Sequence, residues 1–388
     1  MRLYRIELYK LCRKKLSAVG IVCIFSILTL LFCQRVGAAR STINGIEYHG
    51  YEAVMADRQI TEEFTGILTD DAIQQIALNY GFPQRVVKYY GFSDSNFLNN
   101  FVATYASDGY LNDWEDYRIA TKTIPLADTK LNELREISGQ EIWFAYYGEW
   151  KSYPEWYYLG MIMVSIFILC VVSTTFADEE QSNTKPLLFT TQEGPAKDIC
   201  AKIAAAFTLA IGLWLAVTAF SILLYGIVYG TDSFGCPANL VVDFSEPLIS
   251  FGTLLAQSMF LSLLGILELC TVTLLVSAYS RSTFVSVAVC AFCWAIPLLS
   301  TMVLHGIIHI LLASSLEQSV LSVCSRILFP FQLMVYAAPL YLIHFDISSE
   351  LDAVSFNQGF NAFCIIVLLA SAVALFCIAQ AYRRYRKG

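Results

Sequence analysis

A single carboxylate in a long apolar segment is the first candidate for chemistry in this chain. Glu268 is the only formally charged residue of the segment Leu248–Ala278. Gln257 lies eleven residues earlier, about three helical turns, which places both side chains on nearly the same face. A carboxylate within a membrane is costly and commonly functional. The pair is predicted to line a polar path or a dimer interface, and the alternative is a carboxylate solvated near the headgroups.

Catalysis by the chain itself is not indicated. There are only four His residues, and no Ser/His/Asp or metal-ligand constellation stands out. The phosphate-binding pattern G-x-x-x-x-G-K-[ST] does not occur in the sequence. We therefore expect no catalytic residue, no metal and no cofactor bound by this chain. The net charge of −7 also argues against nucleic acid as a partner.

A polar segment, residues 177–202, contains an unexpected apolar run. Leu187, Leu188 and Phe189 interrupt a stretch that is otherwise mostly polar. Apolar residues in a short polar loop, after an acidic start, favour docking into a groove on a partner protein. A loop that lies on the membrane surface remains the alternative.

Six apolar stretches must position these residues. The chain is 56% hydrophobic and 15% charged, whereas soluble domains average about 25% charged residues. A bilayer core requires on the order of 20 apolar residues per helix. The pattern predicts an all-α polytopic protein with the lipid bilayer as a partner. The predicted spans are Leu16–Cys33, Trp156–Phe176, Ile203–Tyr229, Leu248–Ala278, Phe284–Leu304 and Gly359–Ala381.

The basic residues predict the orientation of the spans. Residues 1–15 carry six Lys or Arg, and the tail after the last span carries four. Cytoplasmic segments are enriched in these residues, so both termini are predicted to be cytoplasmic, which requires an even number of spans. The apolar region 306–358, broken by Pro330 and Pro339, is predicted to form re-entrant helices from the outer face. An eight-span arrangement remains open.

Residues 34–155 are predicted to form an extracellular α or α+β domain. The segment holds ten basic and eighteen acidic residues and is rich in aromatics. Asp70–Tyr80, with Asp70 as a possible N-cap, and Leu126–Ile137 are predicted helices. The aromatic run from Trp143 to Tyr158 is typical of an interfacial belt. Cys236 and Cys324 both fall outside in this topology, where they form either a disulfide or two unlinked apolar thiols.

The polar segment 177–202, together with Phe176 before it, resembles a cytoplasmic loop in membrane subunits of ABC transporters of the ABC-2 type. The chain departs from that family's pattern at Asn183 for Gly, Gln192 for Pro and Pro195 for a basic residue. The six spans, a cytoplasmic amphipathic interfacial helix in residues 1–15, a first span in 16–33 and re-entrant helices before the last span are also similar. The residues that match at the same spacing are Phe176, Glu179, Thr184, Leu187, Leu188, Thr190, Thr191, Gly194 and Lys202.

The resemblance implies a function and partners. It implies that residues 156–388 form spans 2–6 of an exporter permease in the bacterial cytoplasmic membrane, with ATP and magnesium bound by separate ATPase subunits and a second permease copy, identical or paralogous. Family members with an outer domain after the first span include antibiotic- and lantibiotic-resistance permeases, which suggests a peptide or other amphiphile as substrate. The competing interpretation is a membrane sensor without transport. Coupling to the ATPase would involve Phe176, Glu179, Thr184, Leu187, Leu188, Phe189 and Gly194.

The predicted topology is tested by labelling single Cys residues in a Cys-free background. An impermeant thiol reagent should modify position 108 in intact cells, because that position is predicted to lie outside. Position 193 should react only after lysis. Labelling of position 193 in intact cells would overturn the orientation.

Overall fold

A computed structural model of the protein describes residues 2–80, 95–106, 131, 141–184, 186, 194–242, 249–295 and 359–387. Most of these residues are helical. The helices are α1 (Arg2–Arg13), α2 (Lys15–Ala38), α3 (Tyr51–Glu62), α4 (Asp70–Tyr80), α5 (Phe97–Phe101), α6 (Tyr153–Val172), α7 (Thr174–Gln181), α8 (Gly194–Tyr229), α9 (Ala238–Val241), α10 (Phe251–Tyr279), α11 (Thr283–Ala295) and α12 (Gly359–Lys387). The strands are β1 (Arg40–Ile43), β2 (Ile46–His49), β3 (Gly66–Ile67) and β4 (Trp143–Phe144).

Five helical stretches among the described residues are long and apolar enough to cross a membrane. They correspond to predicted spans 1 to 4 and 6, so the helical, polytopic character is confirmed. The shorter α11 covers the first part of the predicted fifth span. The rest of that span and the region 306–358 lie outside the described residues, and the choice between six and eight spans stays a prediction. The stretches are Lys15–Ala38, Gly148–Gln181, Pro195–Tyr229, Phe251–Tyr279 and Val367–Arg386.

The chain divides into two compact units. The first unit comprises Met1–Leu28, Pro154–Phe220 and Gln257–Gly388. Small residues let its helices approach closely, as is usual in membranes. A Cβ on Gly20 would lie 2.7 Å from the ring of Phe167, so a side chain at this position of α2 would require that ring of α6 to move.

A buried cluster of hydrogen-bonded polar side chains joins three helices of the first unit. The Tyr157 hydroxyl of α6 lies 3.0 Å from Thr218 Oγ1 of α8 and 2.8 Å from Ser262 Oγ of α10. Trp214 Nε1 of α8 donates to the same serine oxygen at 2.9 Å. Polar groups buried in an apolar environment require such partners. These hydrogen bonds therefore fix the relative rotation of α6, α8 and α10.

The second unit comprises Thr29–Tyr153 and Ser221–Ala256. Strands β1 and β2 form an antiparallel hairpin, with Ser41 opposite Tyr48. Asn44 and Gly45 connect them with φ values of 53° and 78°. A two-residue connection with positive φ at both positions matches the right-handed twist of a hairpin, and Asn-Gly favours it. Helix α3 packs against both strands, and β3 pairs with β4 in a second antiparallel sheet.

Helix α4 has the predicted bounds, but its N-cap is a different residue. The helix runs from Asp70 to Tyr80. Thr69 precedes it, and the Thr69 Oγ1 accepts a hydrogen bond from the Ala72 backbone N–H at 3.2 Å. The prediction that Asp70 is the cap is wrong, because the hydroxyl one residue earlier already satisfies that donor. The predicted helix Leu126–Ile137 lies, except for Leu131, outside the described residues.

The aromatic run before the second span is largely a protein core. Trp150 is fully buried, and its Nε1 donates to the Gly230 carbonyl at 2.9 Å. The rings of Tyr225 and Phe234 lie 5.3 and 5.0 Å from the Trp150 ring, centroid to centroid. The prediction of an interfacial belt is wrong for Trp150 and for the buried Tyr153 and Tyr157. Their rings gain more from packing against protein than from contact with headgroups.

A buried carboxylate in the second unit predicts a pH dependence of stability. Burial raises the pKa of Asp57 to about 6, although hydrogen bonds from Ser41 Oγ, at 2.6 Å, and from the Phe97 backbone lower it. The folded protein therefore holds this proton more tightly than the unfolded chain does. Stability from Asp57 is fully present below the unfolded pKa of about 3.9 and is lost as the pH rises through about 6.

Thermal unfolding in detergent, followed by tryptophan fluorescence, measures this effect. Between pH 4.5 and 7.5 the wild type should lose stability relative to Asp57→Asn, whose neutral amide does not titrate. Parallel pH profiles for the two proteins would contradict the assignment.

Candidate functional site

Helix α7 leads directly into the loop that carries the resemblance, and its last turn has a defined geometry. Asn183 adopts a left-handed conformation with φ of 52°. The Thr184 N–H bonds to the Glu179 carbonyl at 3.0 Å, and the Asn183 N–H bonds to the Glu180 carbonyl at 3.2 Å. These two bonds constitute a Schellman motif, in which Asn is an accepted substitute for Gly. The departure from the family pattern at this position is therefore compatible with the same backbone.

Neighbouring helices hold α7 at both ends. At its start, Ser277 Oγ of α10 accepts hydrogen bonds from the backbone N–H groups of Phe176 and Ala177 at 3.0 and 3.2 Å. At its end, Gln181 Oε1 accepts from the backbone N–H and the hydroxyl of Thr283 at 2.9 and 2.8 Å. Helix α7 is therefore fixed to α10 and to the start of α11.

A lysine without access to water lies beside α7. The Lys202 side chain, on the second turn of α8 from Pro195, is 0% exposed. Its Nζ lies 3.0 Å from Glu179 Oε1 and 4.0 Å from Glu7 Oε1, and it also donates to the Asp198 carboxylate one turn earlier. A buried ammonium is tolerated only with such compensation. We call Glu7, Glu179, Asp198, Lys202 and Tyr385 the Lys202 cluster.

The C-terminal helix completes the cluster. The Tyr385 hydroxyl of α12 donates to Glu179 Oε2, and the Tyr385 ring lies 4.5 Å from the Phe176 ring, centroid to centroid. Both rings are almost fully buried. Glu179 therefore accepts from an ammonium on one oxygen and from a phenol on the other, which satisfies the carboxylate without water.

The amphipathic N-terminal helix contacts the same cluster. Glu7 and Leu11 of α1 are buried. Lys10 Nζ donates to Glu7 Oε1 at 2.6 Å, with its side chain about half exposed. Lys14 lies 3.2 Å from Asp178 of α7, and this pair is partly exposed. The cluster thus draws together the first helix α1, the consecutive helices α7 and α8, and the C-terminal helix α12.

The charged side chains of the Lys202 cluster are engaged with one another. Within the described part of the chain, no group of three His, Cys, Asp or Glu side chains is placed to hold a metal ion. Glu179 and Asp198 are paired with Lys202, and Glu7 is paired with Lys10. A displacement of α7 would separate Glu179 from Lys202 and expose a charge to an apolar environment. The cluster therefore couples the position of α7 to that of α8 and α12.

The structure brings together some of the predicted coupling residues. Phe176, Glu179 and Thr184 form one contiguous site. Gly194 begins α8, with Pro195 at a position that favours helix starts. Helix α7 reaches into the predicted loop 177–202 as far as Gln181, and α8 covers it from Gly194 onward. Leu187, Leu188 and Phe189 lie outside the described residues.

Glu268 is buried inside the first unit. Its residue is 1% exposed, and its Oε2 has no hydrogen-bond partner among the residues described here. The alternative of a carboxylate solvated at the headgroups does not fit this burial. Gln257, on the same helix, is only half-buried. A role for the two in a translocation path or a dimer interface stays a prediction.

The cysteines leave one prediction open and show one pattern that sequence reasoning missed. Cys236 is buried, whereas Cys324 lies outside the described residues, so their disulfide stays a prediction. Cys290 and Cys293 of α11 have C-x-x-C spacing. Cys290 is buried beside Leu169 and Leu269. In this apolar setting a thiol behaves as a small hydrophobic group.

Sequence reasoning also missed three members of the Lys202 cluster, namely Glu7, Asp198 and Tyr385. The spacing of Asp198 and Lys202 is i,i+4, which is a recognisable helical ion pair. Glu7 and Tyr385 carried no local signal. Tyr385 is 206 positions from the carboxylate that it contacts.

The buried ammonium predicts a large asymmetry between two lysine variants. Removal of one partner from a buried ion pair costs roughly 3–5 kcal/mol, so Lys202→Met should lower the free energy of unfolding by that order. The matched control is Lys14→Met, whose partly exposed pair with Asp178 should contribute about 1 kcal/mol or less. Unfolding in mixed micelles measures both. Equal losses for the two variants would contradict the burial of Lys202.

Comparison with known proteins identifies no relative. Neither family models, nor curated proteins, nor solved structures gave a match to this chain.

Proposed function

We propose that this chain is the membrane-spanning permease subunit of an ATP-driven ABC exporter of the ABC-2 type. The observation that supports the proposal is that hydrogen bonds and an ion pair hold α7 against α8, α10 and α11. This helix ends in a Schellman motif at the start of the loop, and its Glu179 pairs with the buried Lys202. A loop that receives force from a partner must be joined rigidly to the spans that it moves.

The proposed mechanism uses this connection. A separate ATPase subunit, with its own ATP and magnesium, binds the loop through Leu187, Leu188 and Phe189. Movement of the loop displaces α7, and the hydrogen bonds of Ser277 and Thr283 transmit the displacement to α10 and α11. The membrane helices then alternate between two arrangements, as interfaces that have two discrete packings allow.

A second copy of the permease, identical or paralogous, is part of the proposal. The resemblance to ABC-2 permeases implies that two sets of spans enclose the path. Glu268 is a candidate for the path or for the contact between copies, because a buried carboxylate within a span commonly marks one or the other. The proposed substrate is a peptide, an antibiotic or another amphiphile.

The rival function is a membrane sensor, and one observation favours it. The second unit forms a compact body with its own aromatic core, in which Phe101 and Phe144 lie 4.5 Å apart between ring centroids. Such a body could bind a ligand without transport. A sensor function, however, does not explain why Glu179 of α7 forms a buried ion pair with Lys202.

The loop variant Leu187→Ala/Leu188→Ala/Phe189→Ala tests the proposal. Truncation of buried anchors at an interface costs more than about 1–2 kcal/mol each, so recovery of the ATPase in pull-down should fall at least ~10-fold. The assay also measures substrate-stimulated ATP hydrolysis in reconstituted membranes, which should be lost.

The matched control removes three exposed apolar side chains elsewhere. Leu215, Leu223 and Ile227 of α8 are 57%, 61% and 69% exposed, and their triple change to Ala should leave assembly intact. Normal assembly and coupling in the loop variant would remove the main support for transport, and the sensor would then be the better account.

A further inference from the structure

An apolar groove lies between α10, α11 and α12 of the first unit. Its volume is about 800 Å³, within the range of about 300–1,000 Å³ that is typical of ligand sites. Its walls are formed mainly by Leu275, Val276, Val285, Val289 and Phe376. The groove therefore suits the hydrocarbon part of a ligand.

One end of the groove is polar and basic. Tyr279, Ser280, Arg281 and Ser282 line it at the turn between α10 and α11. The Arg281 side chain is exposed and forms no ion pair with a described residue. This guanidinium is thus available at the junction of the apolar groove and its polar end.

A second guanidinium lies at the same end. Phe376 and Gln380 of α12 line the groove, and Arg384 follows them in the same i,i+4 series, hence on the same face. The Arg384 guanidinium carbon lies 5.3 Å from the centroid of the Tyr279 ring. Over the described part of the chain, Arg384 has no carboxylate partner.

Both guanidinium groups are exposed, and they differ from three paired cations of the first unit. Lys10, Lys14 and Lys202 each pair with a carboxylate. Arg281 and Arg384 leave two positive charges uncompensated next to 800 Å³ of apolar space. The complementary ligand has an anionic head and an apolar tail.

We propose that this groove binds an anionic phospholipid. Its phosphate lies between Arg281 and Arg384, because guanidinium groups form bidentate bonds with phosphate. One acyl chain lies along Val285, Val289 and Phe376. Basic pockets between membrane helices are known to receive such headgroups. The site is independent of the proposed transport function.

Entry from the bilayer fits the surroundings of the groove. Large apolar side chains beside it are strongly exposed, including Phe284 at 81% and Leu375 at 68%. The turn at its polar end is also bonded to α7, through Thr283 and Gln181. A bound lipid therefore restrains the same turn that holds α7.

Binding of fluorescent phosphatidylglycerol to the purified full chain in neutral detergent micelles tests the proposal, with phosphatidylcholine as the competing neutral headgroup. The double variant Arg281→Gln/Arg384→Gln should weaken phosphatidylglycerol binding by at least ~10-fold, the equivalent of one lost charge-assisted interaction. The control is Arg383→Gln/Arg386→Gln, which removes the same charge from exposed residues of the same tail. It should change binding less than ~2-fold, because neither residue belongs to the i,i+4 series of Phe376 and Gln380 that faces the groove.

A steric variant separates the groove from surface charge. Val289→Trp fills the apolar space, leaves both arginines in place and should also weaken binding, while the helical circular dichroism stays unchanged. Equal losses in the two arginine pairs, equal affinity for phosphatidylcholine, or full binding by Val289→Trp would each overturn the proposal.

Discussion

The arrangement of the first unit depends on an ammonium group that cannot reach water. Burial of an isolated charge costs several kcal/mol, and only close carboxylates with good geometry offset that cost. Lys202 has two such carboxylates, Glu179 of α7 and Asp198 of its own helix, and Glu7 of α1 lies 4.0 Å away. Withdrawal of α7 would take Glu179 away from the buried ammonium, and the Tyr385 hydroxyl adds α12 through the same Glu179. The interaction therefore favours one relative placement of four helices over its alternatives.

The apolar surroundings explain why few polar contacts have such influence. Lipid tails are as apolar as leucine, so hydrophobic burial does little to select one packing of membrane helices over another. Polar side chains then fix the rotation and register of the helices, as the hydrogen bond between Tyr157 of α6 and Ser262 of α10 does. Ser277 and Gln181 perform the same task for α7, which otherwise presents only eight residues to its neighbours. Position is set by directional bonds rather than by apolar area.

The sequence predicted those features that a local pattern encodes. Bilayer thickness sets span length, so the apolar stretches located α2, α6, α8, α10 and α12, and the periodicity of Asp70–Tyr80 gave the bounds of α4. The sequence did not predict contacts between residues that are far apart in the chain. It also did not predict the location of residue types that are favourable in two different environments. Trp150 and Tyr153 suit a headgroup layer as well as a protein core, and only the contacts with Tyr225 and Gly230 distinguish the two. The pairing of Glu179 with Tyr385 joins residues with no shared local signal.

The placement of α7 depends on the ion pair between Glu179, near the end of α7, and Lys202 on α8. A double-mutant cycle with Glu179→Gln and Lys202→Met, read as free energies of unfolding in mixed micelles, measures that link. A favourable interaction energy of about 1–3 kcal/mol is expected, because Glu179→Gln removes a carboxylate that Lys202→Met would otherwise leave buried without its ammonium partner. Additivity of the two changes to within about 0.5 kcal/mol would contradict it.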